Sequence, residues 1–219
     1  KTRWIRAANT IKARFFILTR DYPKALESAK KGILAAADAM YYTPPNIGLN
    51  SINMHFKMIN LRAGFWTFPN SNLDRILKTT RNNAKTNEAA RLRYVAFDGN
   101  TANNNRGIAA IGRRMTLVGY EENLLYIAEA EARIGSEVEA LRNLNLVRVH
   151  LQSGNSFERI NTADGFLYTP LEMADFEPGG IENLDNRATK TALLREIIEE
   201  RYVSCFLQLM PFEDLRRLA

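Results

Sequence analysis

Residues Glu121–Leu151, EENLLYIAEAEARIGSEVEALRNLNLVRVHL, decide the fold class of this chain. Apolar residues recur three and four positions apart on both sides of Gly135, which is the period of an α-helix with one buried face. Gly135 stands where a helix C-cap is expected, and the segment from Ser136 to Glu139 has the pattern of a capping box that starts a new helix. The stretch therefore predicts two helices joined by a tight turn.

A second helical hairpin is predicted at the start of the chain. Apolar residues follow helical spacing there, at Trp4, Ala8, Ile11, Phe15 and Leu18. Asp21 is a favourable N-cap residue, and Pro23 suits the first turn of the helix that follows. The predicted inner face of that second helix consists of Tyr22, Ala25, Ala29, Ile33 and Ala36.

The two hairpins are similar to each other in sequence. When Asp21 is aligned with Ser136, Ala25 falls on Ala140. Repeated helix pairs with small residues in both helices are typical of tetratricopeptide-like folds. The sequence therefore predicts a mainly α fold, in which tetratricopeptide-like helix hairpins form an α-α superhelix.

Two inserts, residues 41–115 and 152–188, interrupt the helical pattern. The first is rich in Asn, and the second contains the turn-forming sequence Glu-Pro-Gly-Gly at 177–180. Such composition predicts irregular loops and short strands. A last amphipathic helix is predicted from Thr191 to Met210, with Pro211 ending it. We expect residues 1–219 to form a single helical domain that carries both inserts.

Charge is distributed unevenly along the chain. Residues 1–115 contain 20 Lys+Arg and 6 Asp+Glu, whereas residues 116–219 contain 10 and 18, so the net charges are +14 and −8. The basic residues are spread out and form no dense tract, which favours packing of oppositely charged parts over a nucleic-acid interface. We expect no nucleic-acid partner, with binding through the basic part kept as an alternative.

The sequence lacks the motifs of common catalytic and metal sites. Its single cysteine, Cys205, excludes a disulfide within the chain and a cysteine-rich metal cluster. Its two histidines, His55 and His150, have no acidic or cysteine neighbours at metal-ligand spacing, and neither a phosphate loop nor a nucleophile motif is present. We therefore expect no enzyme activity, no cofactor and no metal.

Charged residues near the chain end are interpreted as structural. Arg201 falls on the inner stripe of the last predicted helix, where a guanidinium needs a carboxylate partner. Asp214 and the Glu121, Glu122 and Glu129 set are the candidate partners. We predict a buried ion-pair network at Arg201 and no catalytic acid-base pair.

Four blocks of sequence resemble the C-terminal half of the SusD/RagB family. The first contains Ala-Ala-Asn, Ala-Arg and Asp-Tyr-x-x-Ala-Leu, and the second is Glu-x-x-Leu-Leu-x-x-Ala-Glu-Ala. The third joins Ala-Leu to Asn-Leu-Val-Arg, and the fourth leads from Ile-Ile-Glu-Glu-Arg-Tyr to Phe-Glu-Asp-Leu-Arg-Arg. In chain order the blocks lie at 4–26, 120–130, 140–148 and 197–217. Their order and spacing make the resemblance specific.

The resemblance implies a surface lipoprotein of the bacterial outer membrane. Such a receptor binds a glycan or oligosaccharide without catalysis and delivers it to a SusC-like TonB-dependent transporter. The resemblance also implies an N-terminal half with a lipid anchor, which has no counterpart in residues 1–219. We therefore expect the chain to be incomplete.

Aromatic and Asn residues of the first insert are the candidate ligand-binding residues. The C–H faces of sugar rings pack on aromatic rings, and sugar hydroxyls need amide or carboxylate partners. The candidates are Tyr41, Tyr42, Trp66, Phe68, Asn70 and Asn104. Alternatively, Trp66 and the neighbouring Phe residues are core residues that hold the insert to the helices, because large aromatic side chains are usually buried.

A different class of function rests on the hairpins alone. Tetratricopeptide-like helix pairs also form scaffolds that bind a protein or peptide, and such a scaffold needs no exposed aromatic platform. This scaffold is the alternative to the glycan receptor.

Overall fold

A computed structural model describes residues 1–45, 47–48, 51–62, 67–96, 105–157 and 165–218. Within these ranges the chain forms nine α-helices and four short strands, which confirms the predicted mainly α fold class. The helices are α1 Thr2–Leu18, α2 Tyr22–Ala29, α3 Met54–Leu61, α4 Asn72–Lys78, α5 Ala89–Val95, α6 Tyr120–Ile134, α7 Glu137–Gln152, α8 Thr189–Ser204 and α9 Met210–Leu218. The strands are β1 Met40–Tyr42, β2 Thr86–Asn87, β3 Met115–Val118 and β4 Leu167–Tyr168.

The strands form two small sheets. Strand β1 pairs with β3, and β2 pairs with β4. The β2–β4 pair is antiparallel, with Thr86 opposite Tyr168 and Asn87 opposite Leu167. None of the helices in the described ranges is long and apolar enough to cross a bilayer.

The chain divides into two compact units. The first unit consists of Lys1–Met40, Thr116–Arg148 and Pro170–Ala219, and the second consists of Tyr41–Met115 and Val149–Thr169. Residues 41–115, predicted as the first insert, therefore all belong to the second unit. Residues 152–188, predicted as the other insert, are shared between the two units.

The turn between α6 and α7 forms as the sequence predicts. Gly135 is the C-cap of α6, and the Ser136 hydroxyl accepts a hydrogen bond of 3.3 Å from the backbone N–H of Glu139. The backbone N–H of Ser136 donates to the carboxylate of Glu131. Helix α6 is the centre of the first unit, because it packs against α1, α2 and α8 and its residues from 122 to 132 are all buried.

The first hairpin differs from the prediction in which face of α1 is buried. The buried residues are Ala7, Thr10, Ala13 and Ile17, whereas Trp4 and Phe15 are 68% and 60% exposed. Small residues face inward because α1 packs closely against α2. The stripe that contains Trp4 and Phe15 is therefore the outer face of the helix, even though it is the more apolar one.

Helix α2 begins as predicted but ends early. Asp21 caps it by accepting a hydrogen bond from the Lys24 backbone N–H, with Pro23 in the first turn. The helix ends at Ala29, so the expected continuation to Ala36 is wrong. Ile33 is nevertheless fully buried beyond the helix end.

The prediction of one long helix that ends at Pro211 is also wrong. Helix α8 ends at Ser204, and α9 begins at Met210. Pro211 therefore lies in the first turn of α9, where its missing backbone N–H costs no hydrogen bond because that N–H has no partner within a helix.

The second unit contains more helix than its composition suggests. Three short helices, α3, α4 and α5, lie in the segment for which loops and short strands were predicted. The Asn53 side chain caps α3, and the Ser71 hydroxyl caps α4. A high content of polar residues predicts a loop. Here, however, two of these polar residues are N-caps, because they accept hydrogen bonds from the first backbone N–H groups of a helix.

Candidate functional site

A buried ionic cluster joins three helices of the first unit. Arg201 on α8 donates to Glu129 on α6 at 2.6 Å and to Asp214 on α9 at 2.7 Å. Arg217 donates to both oxygens of Glu129, at 2.8 and 2.6 Å, and to Asp214 at 2.8 Å. All four residues are at most 7% exposed. The predicted structural network at Arg201 is confirmed, with Glu129 and Asp214 as the partners.

The cluster keeps Glu129 ionised. Burial alone would raise the pKa of this carboxyl, but the charges of Arg201, Arg217 and Arg133 outweigh burial and hold the pKa at about 2. Burial alone would lower the pKa of Arg201, but the carboxylates of Glu129 and Asp214 outweigh burial and raise it. Full hydrogen bonding by two carboxylates and two guanidinium groups is the arrangement in which buried charges are stable.

Acid is expected to weaken this cluster. The folded pKa of Glu129 is about 2, against an ordinary value of 4.5, so its contribution is complete above pH 4.5 and is lost as the pH falls towards 2. The loss corresponds to roughly 3 kcal/mol of unfolding free energy. Urea unfolding of the wild type and of Glu129→Gln at steps across this window measures it, because the variant lacks the titrating group.

A matched control is Glu27→Gln, which removes an exposed carboxylate paired with Lys31. We expect this variant to follow the wild type. Burial raises the pKa of Glu122, so this carboxyl changes the free energy of unfolding with pH in the opposite direction. All three proteins contain Glu122, so its effect cancels when their acid dependence is compared. Equal acid dependence in Glu129→Gln and the wild type would contradict the assignment.

A second ion pair of the first unit involves Glu122, a buried residue at the start of α6. Glu122, one of the other carboxylates considered for Arg201, instead accepts from Arg14 at 2.8 Å and from the backbone N–H of Gly119 at 3.1 Å. Glu122 is 1% exposed. These groups tie α1 and the start of α6 together, as expected of an ion pair with a structural role.

The interior of the second unit is organised around Glu88. Its carboxylate accepts from Arg81 at 2.9 Å, from Arg91 at 3.3 Å and from the Tyr168 hydroxyl at 2.7 Å. All four side chains are at most 4% exposed. The cluster fixes α5 against strand β4 and thereby sets the position of Tyr94, which also lies on α5.

A cavity of about 260 Å³ lies in this unit. The described residues that line it are Tyr94, Gly107, Ala110, Gly112, Arg113 and Phe157. The Tyr94 and Phe157 rings are 6.1 Å apart and tilted, and Phe157 continues into a cluster with Phe166 and Tyr168. The cavity is slightly smaller than the roughly 300–1,000 Å³ typical of small-molecule sites. It therefore fits one small ring or the end of a chain-like ligand.

Gly107 brings the backbone close to this aromatic wall. Its φ is +52°, and an added Cβ would lie 2.1 Å from the carbonyl oxygen of Tyr94. Only glycine allows both this conformation and this approach. On that side, the cavity is therefore lined by the Gly107 backbone, which lies close to the backbone of Tyr94.

Arg113 gives the cavity its charge. Its guanidinium carbon lies 5.0 Å from the centre of the Tyr94 ring, in a cation–π contact. Burial lowers the pKa of Arg113, contact with Tyr94 opposes that shift, and the charge of Arg114 adds to it. The adjacent Arg114 lies over the ring of Tyr41 at 3.9 Å.

The candidate ligand-binding residues of the sequence occupy different settings. Tyr41 is partly buried beneath Arg114, and Tyr42 beside it is 45% exposed. Phe68 is 3% exposed and belongs to the core of the second unit. Asn70 is exposed with φ +65°, and its backbone N–H donates to Asp74 at the start of α4. Trp66 and Asn104 lie outside the described residues.

The cavity residues Tyr94, Arg113 and Phe157 were not among the candidates. Each is an ordinary residue in its local sequence, and only the fold brings residue 157 beside residue 94. In the part of the chain that the structure describes, no group of three or more His, Cys, Asp or Glu side chains is arranged to hold a metal.

Comparison with known proteins assigns the chain to no family. No protein-family model matches the chain, and no curated protein or solved structure shows significant similarity to it.

Proposed function

We propose that the protein is a non-catalytic receptor for a glycan or oligosaccharide. The observation that carries the proposal is the cavity of the second unit, where two aromatic rings, close backbone and one guanidinium line a space for a single small ring. Aromatic rings next to hydrogen-bonding groups are what the C–H faces and hydroxyls of a sugar require. The four sequence blocks that resemble the SusD/RagB family support the same class of ligand.

The proposal extends to the cellular role that this resemblance implies. The receptor is held on the surface of a bacterial outer membrane by an N-terminal lipid anchor and delivers its ligand to a TonB-dependent transporter. The tetratricopeptide-like arrangement of the hairpins belongs to the same proposal. Co-purification of the full-length protein with an outer-membrane transporter is the expected result for this role.

A glycan array tests the binding step. The purified chain is expected to bind at least one glycan, and Tyr94→Ala is expected to weaken that binding about tenfold, because one aromatic contact of about 1.4 kcal/mol corresponds to a tenfold change in affinity. Phe212→Ala is the matched control, since Phe212 is an aromatic residue of the first unit that is 57% exposed. Equal loss in both variants would contradict the assignment to the cavity.

A scaffold that binds a protein or peptide is the second candidate. It is favoured by the outer face of α1, where Trp4, Ile5 and Phe15 are all more than half exposed. Exposed apolar residues on one helix face are typical of protein-binding surfaces. A soluble partner that co-purifies without any membrane transporter, together with no glycan binding, would favour the scaffold over the receptor.

A further inference from the structure

Arg113 is placed to meet a ligand and not only to hold the fold. It lines the cavity, and its stacking on Tyr94 restricts where its guanidinium points. A guanidinium is planar and presents paired N–H donors that match the two oxygens of a carboxylate. A carboxylate that enters the cavity therefore meets a donor group held in position.

The electrostatics of the second unit favour an anion at this place. The unit contains 12 Lys+Arg and 5 Asp+Glu, a net charge of +7. Among the described residues, Arg114 next to Arg113 adds a second positive charge, and contacts with the phenols of Tyr94 and Tyr41 oppose the lowering of the Arg113 pKa by burial. A ligand anion in the cavity would add a charge-assisted hydrogen bond to this guanidinium.

The carboxylates described in this unit bind other cations. Asp74 pairs with Lys78 at 2.8 Å, and Glu88 pairs with Arg81 and Arg91. These pairs keep Asp74 and Glu88, the acidic groups described in this unit, with cations of their own.

We propose that the cavity binds an acidic sugar, with the carboxylate of a uronic acid on Arg113 and the sugar ring against Phe157 and Tyr94. This inference rests on the proposed function and names its ligand class. It predicts that the carboxylate, and not only the ring, determines affinity.

Calorimetry with matched oligosaccharides tests the inference. The probes are galacturonate, mannuronate and glucuronate oligosaccharides, each beside its carboxyl-reduced neutral counterpart, at about 0.15 M salt to screen long-range attraction. We expect at least one uronate to bind roughly tenfold or more tightly than its neutral form, as a charge-assisted hydrogen bond allows. Arg113→Gln should remove this preference, and Arg113→Lys should keep part of it because it retains the charge.

Arg93→Gln is the matched control. Arg93 is exposed on α5 in the same unit and is not part of the cavity lining, so its removal lowers the overall charge equally and should leave the preference intact. Thermal melts of the three variants separate lost binding from lost folding, and Arg113→Lys answers the question if Arg113→Gln does not fold.

The outcomes separate this inference from the proposed function. Neutral glycans that bind as tightly as the uronates would overturn the acidic-sugar inference and leave the receptor standing. A preference that Arg113→Gln and Arg93→Gln weaken equally would also overturn it, because the attraction would then be unspecific. Failure of every glycan, acidic and neutral, would overturn both.

Discussion

Glu129→Ala is expected to lower the free energy of unfolding by roughly 3–5 kcal/mol, the usual cost of removing one partner from a buried ion pair. Glu129 is the carboxylate that Arg201 and Arg217 share, at 2.6 Å from each. Its removal leaves the two buried guanidinium groups to share the Asp214 carboxylate. Urea unfolding at neutral pH, followed by circular dichroism, measures the change.

The control for this variant is Glu139→Ala. Glu139 forms a solvent-exposed pair with Arg142 at 3.4 Å, and such pairs contribute about 0–1 kcal/mol. If Glu129→Ala cost no more than Glu139→Ala, the cluster would not hold α6, α8 and α9 together.

Gly32→Ala is expected to have an effect of similar size. The added Cβ would lie 2.2 Å from the Asn123 side-chain oxygen and 2.6 Å from the Thr10 hydroxyl. Thr10 donates to Asn123 at 2.9 Å and accepts from the Ile33 backbone N–H at 3.0 Å, and Asn123 donates to the Ala29 carbonyl at 3.0 Å. Separating these buried groups combines overpacking with lost hydrogen bonds, which together amount to roughly 3–5 kcal/mol.

Gly112→Ala provides the comparison for Gly32→Ala. A Cβ at Gly112 meets no atom within 4 Å, so the free energy of unfolding should change by less than about 0.5 kcal/mol. Thermal unfolding of both variants decides the matter. A Gly32→Ala protein as stable as Gly112→Ala would show that the contact among α1, α2 and α6 relaxes without cost.

The parts of the fold that the sequence predicts well are those determined by local chemistry. Asp21 and Ser136 cap their helices, and Gly135 ends α6, because each satisfies backbone groups within a few residues of itself. Arg201 was also predicted correctly, since a guanidinium on an inner helix face needs a carboxylate wherever that carboxylate lies in the sequence.

Features that depend on distant packing were predicted less well. Periodicity predicts that the apolar stripe of α1 is buried. Because α2 packs closely against α1, the face with small residues is buried instead, and Phe15 is exposed. Pro211 indicates a helix end or a helix start equally well, and only the tertiary structure decides. In the first insert, single capping residues such as Asn53 outweigh a composition that favours loops.

The candidate site depends even more on residues that are distant in the sequence, so the sequence predicts it less well than the fold. Aromatic residues in loops favour sugar binding, which points to Tyr41 and Tyr42, and these residues lie beside Arg114 on a partly exposed surface. The cavity itself joins Tyr94, Arg113 and Phe157, which no local pattern connects. Composition predicts that aromatic residues and arginine are available, whereas their convergence on one space follows from the fold.

Native affinity electrophoresis measures the proposed binding of glycans to this chain directly. The purified chain migrates through gels that contain individual polysaccharides, acidic and neutral, beside a reference protein that binds none. We predict that at least one polysaccharide slows the chain and that Tyr94→Ala restores most of its mobility. Unchanged migration of the wild-type chain in every gel would contradict the account.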